Sequence, residues 1–347
     1  MKPIVYRIAL LISLLILFVL CYIKLNEQYD PLSRYPYVTE ENKEVILKYM
    51  DDDDIDYMVN QQIKPDEYMD FIEIEGFDIH QTRSYQIAKK TQEADLAYIV
   101  NFVNKYHTHF RRNELSTLLT HYSYLDLTTF YENEQLLNEN LLLVSDPSDF
   151  KVLLTENESV YKYQPSNIVD MDDIQVSEKM VKDLEEMKMD YATELSGQQL
   201  KLSQGYIPYD TLGQIYAEKQ VQYGENTNLF YRNAGQSEYQ LGYVIATENA
   251  QMWNEQCLSQ LNEENEEIDY TLVEESLTPE QRNQIVWLEE NAYHYGFIVR
   301  YPLDKEEYTK QAYQPFVLRY VGKKQAKKMA KSQDCLEQID MKGWKES

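Results

Sequence analysis

The chain opens on an uncharged apolar run, IALLISLLILFVLCYI at residues 8–23. The run is slightly short for a bilayer core of about 30 Å, but Arg7 and Lys24 flank it and can snorkel. No small-x-small cleavage site follows, and Leu20 precedes Cys21 where a lipoprotein signal wants a small residue. The pattern predicts an uncleaved signal anchor over residues 1–24, with the N-terminus in the cytoplasm and the bulk of the chain outside the cell. Residues 25–39, LNEQYDPLSRYPYVT, have two prolines and no helical period, and predict a short spacer.

Residues 40–137 carry mainly helical periods. EENKEVILKYM sets Val45, Ile46 and Tyr49 on one face, and ADLAYIVNFVNKYH and NELSTLLTHY repeat the theme. Asp51 to Asp54 stand in a row. A calcium loop would need glycine at its sixth position, where Asp56 stands, so the run predicts a capped acidic first helical turn. His107 and His109 are two apart, face different ways on a helix and predict surface positions. Near Asn138 the pattern becomes mixed. A short apolar run at 141–144 precedes an Asp146-Pro147 turn. Met180, Leu184, Met187 and Tyr191 recur at helical spacing. Strands are predicted in QLKLSQ, EYQLGYVIAT, FIVRYP and PFVLRYV, and helices in YDTLGQIYAEKQVQYG and TPEQRNQIVWLEENAYHYG. The second helix is capped at Thr278, with Glu280 in its first turn. This order predicts an α+β domain over 138–347, after a helical region over 40–137.

Charge narrows the partners. The 59 acids and 33 bases leave a net −26, which excludes nucleic acid as a partner and disfavours an anionic surface for the bulk of the chain. With 31 Tyr, 10 Phe and 3 Trp the chain is no disordered acidic tail. Cys257 and Cys335 would pair only if the fold brings them close, and without a CxxC or Cys/His cluster a finger-type zinc is not expected.

Four stretches carry a family resemblance. SQGYIPYDTL is similar to a motif SGYRS-x-x-x-Q, with Gly205 and Tyr206 matching. GQSEYQLGYVIAT is similar to G-H-S-x-H-x-x-G-x-A-x-D, with Gly235, Ser237 and Gly242 matching. WLEENAYHYGFIVRYPLDKEEYT follows WLxENAxxYGFxxRYPxxKxxxT almost throughout. QPFVLRYVG is similar to EPWHxRYVG, with Pro315, Arg319, Tyr320, Val321 and Gly322 matching. The chain resembles, over about residues 141–331, the VanY-type D-alanyl-D-alanine carboxypeptidases, zinc enzymes of the LAS-type fold that trim peptidoglycan stem peptides. The resemblance implies a small mixed sheet with helices and a peptidoglycan-related role.

The family's chemistry is missing at the matching positions. The zinc ligands fall on Tyr239, Ala246 and Val317, the general base on Gln314, the substrate-binding arginine on Ile207 and the motif's glutamine on Leu212. A catalytic zinc needs three protein ligands and an open position. A phenol is a poor ligand at neutral pH, and an amide cannot act as general base. Tyr239, Phe316 and Val317 are expected to fill the former metal seat. His294, the lone histidine of the domain, reads as a partly buried helix-end residue. The run KKQAKKMAK at 323–331 reads as a solvated helix face or a contact with anionic polymer or lipid. The expectation is a membrane-anchored pseudo-peptidase without zinc, acting by binding a cell-wall peptide or an envelope protein. The alternatives are an active or altered-specificity zinc peptidase, and a scaffold whose working part is the helical region.

Overall fold

The N-terminal apolar run forms one helix, Lys2–Glu27, with residues 6–24 long and apolar enough to cross a membrane. The computed structural model describes residues 2–27, 30–262 and 267–339. It divides into two units, Met1–Ser116 and Thr117–Ser347.

In the first unit, Asp51 caps the helix Asp52–Gln61 by accepting from the Asp54 N–H, so the aspartate run is the acidic first turn the pattern implies. Ile46, Ile55, Met58, Tyr68 and Ile79 are fully buried together. Of the face expected on the helix Glu40–Tyr49, Ile46 is buried, Val45 packs alongside and Tyr49 is exposed. The spacer over 25–39 needs correction from Asp30 onward. Leu32 and Tyr35 are 1% and 2% exposed, and the Tyr35 hydroxyl donates to the Ile63 carbonyl at 2.6 Å. Two prolines removed the helical period, but the apolar residues between them still found a core. Spacer residues 28 and 29 and C-terminal residues 340–347 lie outside the described residues. His107 and His109 are exposed.

The unit boundary falls before Thr117 rather than at Asn138. The segment beginning at Thr117 is already tied to the mixed region beyond Asn138. The Tyr122 hydroxyl donates to the Val144 carbonyl at 2.9 Å, and the Phe130 ring meets Tyr161 edge-on at 5.8 Å. These partners are distant in sequence, which local periodicity does not register.

The second unit is α+β. A parallel pair joins β1 (Leu142–Leu143) and β2 (Glu158–Ser159), and a hairpin joins β3 (Ile168–Met171) and β4 (Ile174–Ser177). The main sheet has β5 (Leu202–Gln204), β6 (Val244–Thr247), β7 (Phe297–Tyr301) and β8 (Gln314–Tyr320) in the antiparallel order β5-β6-β8-β7. Met180, Leu184, Met187 and Tyr191 form the buried stripe of the helix Glu178–Glu194. The helix Pro279–Asn291 has a capping box between Thr278 and Gln281, so Gln281 rather than Glu280 closes it. The strand expected across EYQLGYVIAT begins only at Val244, because Glu238–Leu241 forms a 3₁₀ turn.

Gly242 ends that turn in left-handed backbone at φ +76°, and a Cβ there would lie 2.5 Å from Ile168 Cδ1. Gly242→Ala should therefore lower stability by about 1–3 kcal/mol, read as a lower urea midpoint. Gly197→Ala is the control: φ is +91°, but nothing lies within 4 Å of the added carbon, so its loss should be smaller.

Candidate functional site

Four of the six predicted site positions meet in one cleft. Ile207, Leu212, Tyr239 and Gln314 line it together. Ile207 follows β5, and its N–H donates to the Tyr239 carbonyl at 3.3 Å, fixing the two segments side by side. Leu212 lies in the first turn of the helix Tyr209–Tyr223, and Tyr239 stands in the 3₁₀ turn ended by Gly242. Gln314 opens β8 opposite Tyr301. The two remaining positions, Ala246 and Val317, do not line it. Gln204, Ala246 and Val317 are directly paired across three strands, so their side chains share a face. Gln204 lines the cleft, while Ala246 and Val317 are each 1% exposed.

Phe316 departs from expectation. It is buried, packs on Trp253 with centroids 6.0 Å apart, and does not line the cleft. The strand alternates sides, and the register between β7 and β8 shifts between Val299 and Tyr301, so sequence neighbours part company here.

The cleft does not fit zinc. Its lining includes no His, Cys, Asp or Glu, and its one charged group is Arg232. Arg232 Nη2 already donates to the carbonyls of Thr309 at 3.3 Å and Lys310 at 3.2 Å. Burial pushes the Tyr239 hydroxyl well above the usual phenol range, so it stays protonated and does not supply a phenolate. Burial likewise pushes Tyr301 up to about 12. Among the described residues no three His, Cys, Asp or Glu side chains cluster as metal ligands. His294 is exposed beside Tyr293 rather than partly buried, because it lies in a 3₁₀ turn on the surface. Cys257 and Cys335 are both buried as free thiols, and burial pushes them up to about 12 and about 11. The cavity holds about 50 Å³, against roughly 300–1,000 Å³ for ordinary ligand pockets. That is room for a few waters, not for a dipeptide.

The VanY family profile, described as D-alanyl-D-alanine carboxypeptidase, matches residues 173–323. Over these residues, under half of the chain, the sequence carries a VanY-type domain. YodJ of Bacillus subtilis, a carboxypeptidase by name, is 63% identical over 41 residues, 12% of this chain and 15% of that protein. A D-alanyl-D-alanine carboxypeptidase of Enterococcus faecium is 61% identical over 36 residues, 10% of this chain and 12% of the relative. The aligned stretches thus span less than a fifth of either relative. A solved structure of the LdcB LD-carboxypeptidase is 26% identical and covers 57% of this chain and 88% of its own, with a TM-score of 0.42.

Beside the cleft this VanY-type domain holds a buried ion network. Arg300 of β7 grips Glu238 with two parallel bonds, Nε to Oε2 and Nη2 to Oε1, both 2.9 Å. Arg300 also donates to Glu337, at 2.8 and 3.2 Å. Arg319 Nε lies 3.8 Å from Glu238, and its Nη2 donates to the carbonyls of Phe150 and Val152. Two arginines face two glutamates, so the cluster is neutral overall. Burial alone would raise the Glu238 carboxyl, but the Arg300 and Arg319 charges win and hold it below the usual range. Arg300 and Arg319 were legible only as matched family letters, and Glu238 sits at a variable position of the motif. Arg232 and Asn254, which also line the cleft, belong to no motif and gave no signal.

Proposed function

We propose that the chain is a membrane-anchored pseudo-peptidase of the cell envelope, held by its N-terminal helix with the rest of the chain outside the cell. It binds no catalytic zinc and hydrolyses no stem peptide. The observation that carries this reading is a cleft without metal ligands: four family positions converge there as Ile207, Leu212, Tyr239 and Gln314, and the other two, Ala246 and Val317, pair in the adjoining sheet. Three ligands, a base and a carboxylate-binding arginine are missing at once, so no single compensating residue restores the reaction. The role left is binding within peptidoglycan metabolism. With so small a cavity, an envelope protein bound on the exterior fits better than a stem peptide bound in the cleft.

The test is zinc content and cleavage by the full chain in neutral detergent after growth with added zinc. Less than about 0.1 zinc per chain and no release of D-alanine from a D-alanyl-D-alanine peptide are expected. One tightly held zinc per chain, or zinc-dependent release, would overturn the reading.

A further inference from the structure

The C-terminal helix Lys323–Ser332 carries a lysine stripe that nothing in its own unit uses. At 3.6 residues per turn, Lys324, Lys327, Lys328 and Lys331 fall within one face about 10 Å long. All four are exposed. Among the described residues none has an ion pair. The opposite face is buried through Gln325, Ala326 and Met329, so the helix is fixed and the stripe points outward. Three nearby carboxylates are already engaged. Lys323 takes Asp183 at 3.1 Å and Glu186 at 2.6 Å, and Glu337 is bound to Arg300. Four uncompensated cations in line are a marked departure in a chain of net charge −26.

We propose that this stripe docks a flexible phosphodiester polyanion of the cell envelope. Charge complementarity sets the sign of the partner, and the linear array favours a chain of repeated charges over a single anion. A bilayer surface fits less well. A helix that lies on lipid needs an apolar face beside its basic one, and here that face is spent on the unit's own core. The stripe also has no aromatic side chain on which a nucleobase could stack. The lysine surface is separate from the cleft, and its role does not depend on the absence of zinc.

The experiment measures binding of the full chain, in neutral detergent, to poly(glycerol phosphate) at low and at physiological salt. Binding should weaken steeply with salt. The K324Q/K327Q/K328Q/K331Q variant should lose roughly 10-fold or more in affinity, since each surface cation contributes separately. Replacing the same four by arginine should preserve binding. The pair K324Q/K328Q should lose more than the pair K64Q/K90Q in the other unit, which removes the same net charge. Circular dichroism melting checks that each variant folds. If the quadruple variant does not, the two pairs decide. No binding at low salt, equal losses from the two pairs, or stripe-dependent binding to phosphatidylglycerol vesicles but not to the polymer would each overturn the proposal.

Discussion

Arg300→Met should be among the most damaging single substitutions in the chain, costing about 3–5 kcal/mol out of a total stability of roughly 5–15 kcal/mol. Methionine keeps much of the volume, so the cost arises from charge. Glu238 is 3% exposed and would keep only the longer contact with Arg319, at 3.8 Å, and the Leu154 N–H that donates to it at 3.4 Å. Glu337 would lose its partner as well. The double variant Glu238→Gln/Arg300→Met should recover part of the loss, because it removes the stranded anion along with the cation. Acid should separate the two proteins further. In the parent the folded Glu238 carboxyl lies below its unfolded value near 4.5. Its contribution is therefore present above that pH and is lost as pH falls through the folded value. In Arg300→Met, burial without its main partner raises the carboxyl, so protonation relieves the variant and its deficit shrinks as pH falls. Urea midpoints of the full chain at pH 7 and near pH 4 measure this. A loss under about 1 kcal/mol at pH 7 would mean that the network is held by packing alone.

The sequence made this network visible only in fragments. Arg300 and Arg319 stand in strand patterns that predicted β7 and β8, and both strands form. Local pattern says nothing about a glutamate 62 residues away from its arginine, yet both side chains of that pair are almost fully buried. The cleft was legible for a different reason. Motif spacing located each position on its element, and the backbone brings Ile207, Leu212, Tyr239 and Gln314 to one place. What spacing could not convey is depth. Ala246 and Val317 are buried and do not line the cleft, and Phe316 turns to Trp253. The same limit explains the spacer. The N-terminal helix runs on to Glu27, three residues into the expected spacer, and beyond it helical period is no measure of burial, since Leu32 and Tyr35 are core residues. The hairpin of β3 and β4 left no alternation strong enough to read, since Asp170, Asp172 and Asp173 interrupt its apolar positions.

Restoring the lost donors should restore a metal. The triple variant Tyr239→His, Ala246→Asp, Val317→His is expected to bind one zinc per chain, and the parent none. The backbone supplies the reason. Ala246 and Val317 are direct cross-strand partners, with side chains on one face and Cβ atoms about 4.5–5.5 Å apart by sheet geometry. That separation lets an imidazole and a carboxylate share one ion, with Zn–N and Zn–O distances of about 2.0–2.2 Å. The third donor, introduced at Tyr239, comes from the adjoining 3₁₀ turn. Without metal the variant should be less stable than the parent, because a carboxylate would replace a methyl group at a position 1% exposed. Saturating zinc should return about 2.7 kcal/mol at a hundredfold excess over the dissociation constant. The readouts are zinc content and the zinc dependence of the melting temperature. Adding Gln314→Glu and Ile207→Arg supplies a base and a carboxylate receptor, and D-alanine release should then become measurable. A triple variant that folds but takes up no zinc would show that more than the donors was lost. The 50 Å³ cavity would then mark a cleft whose backbone has closed around its apolar lining.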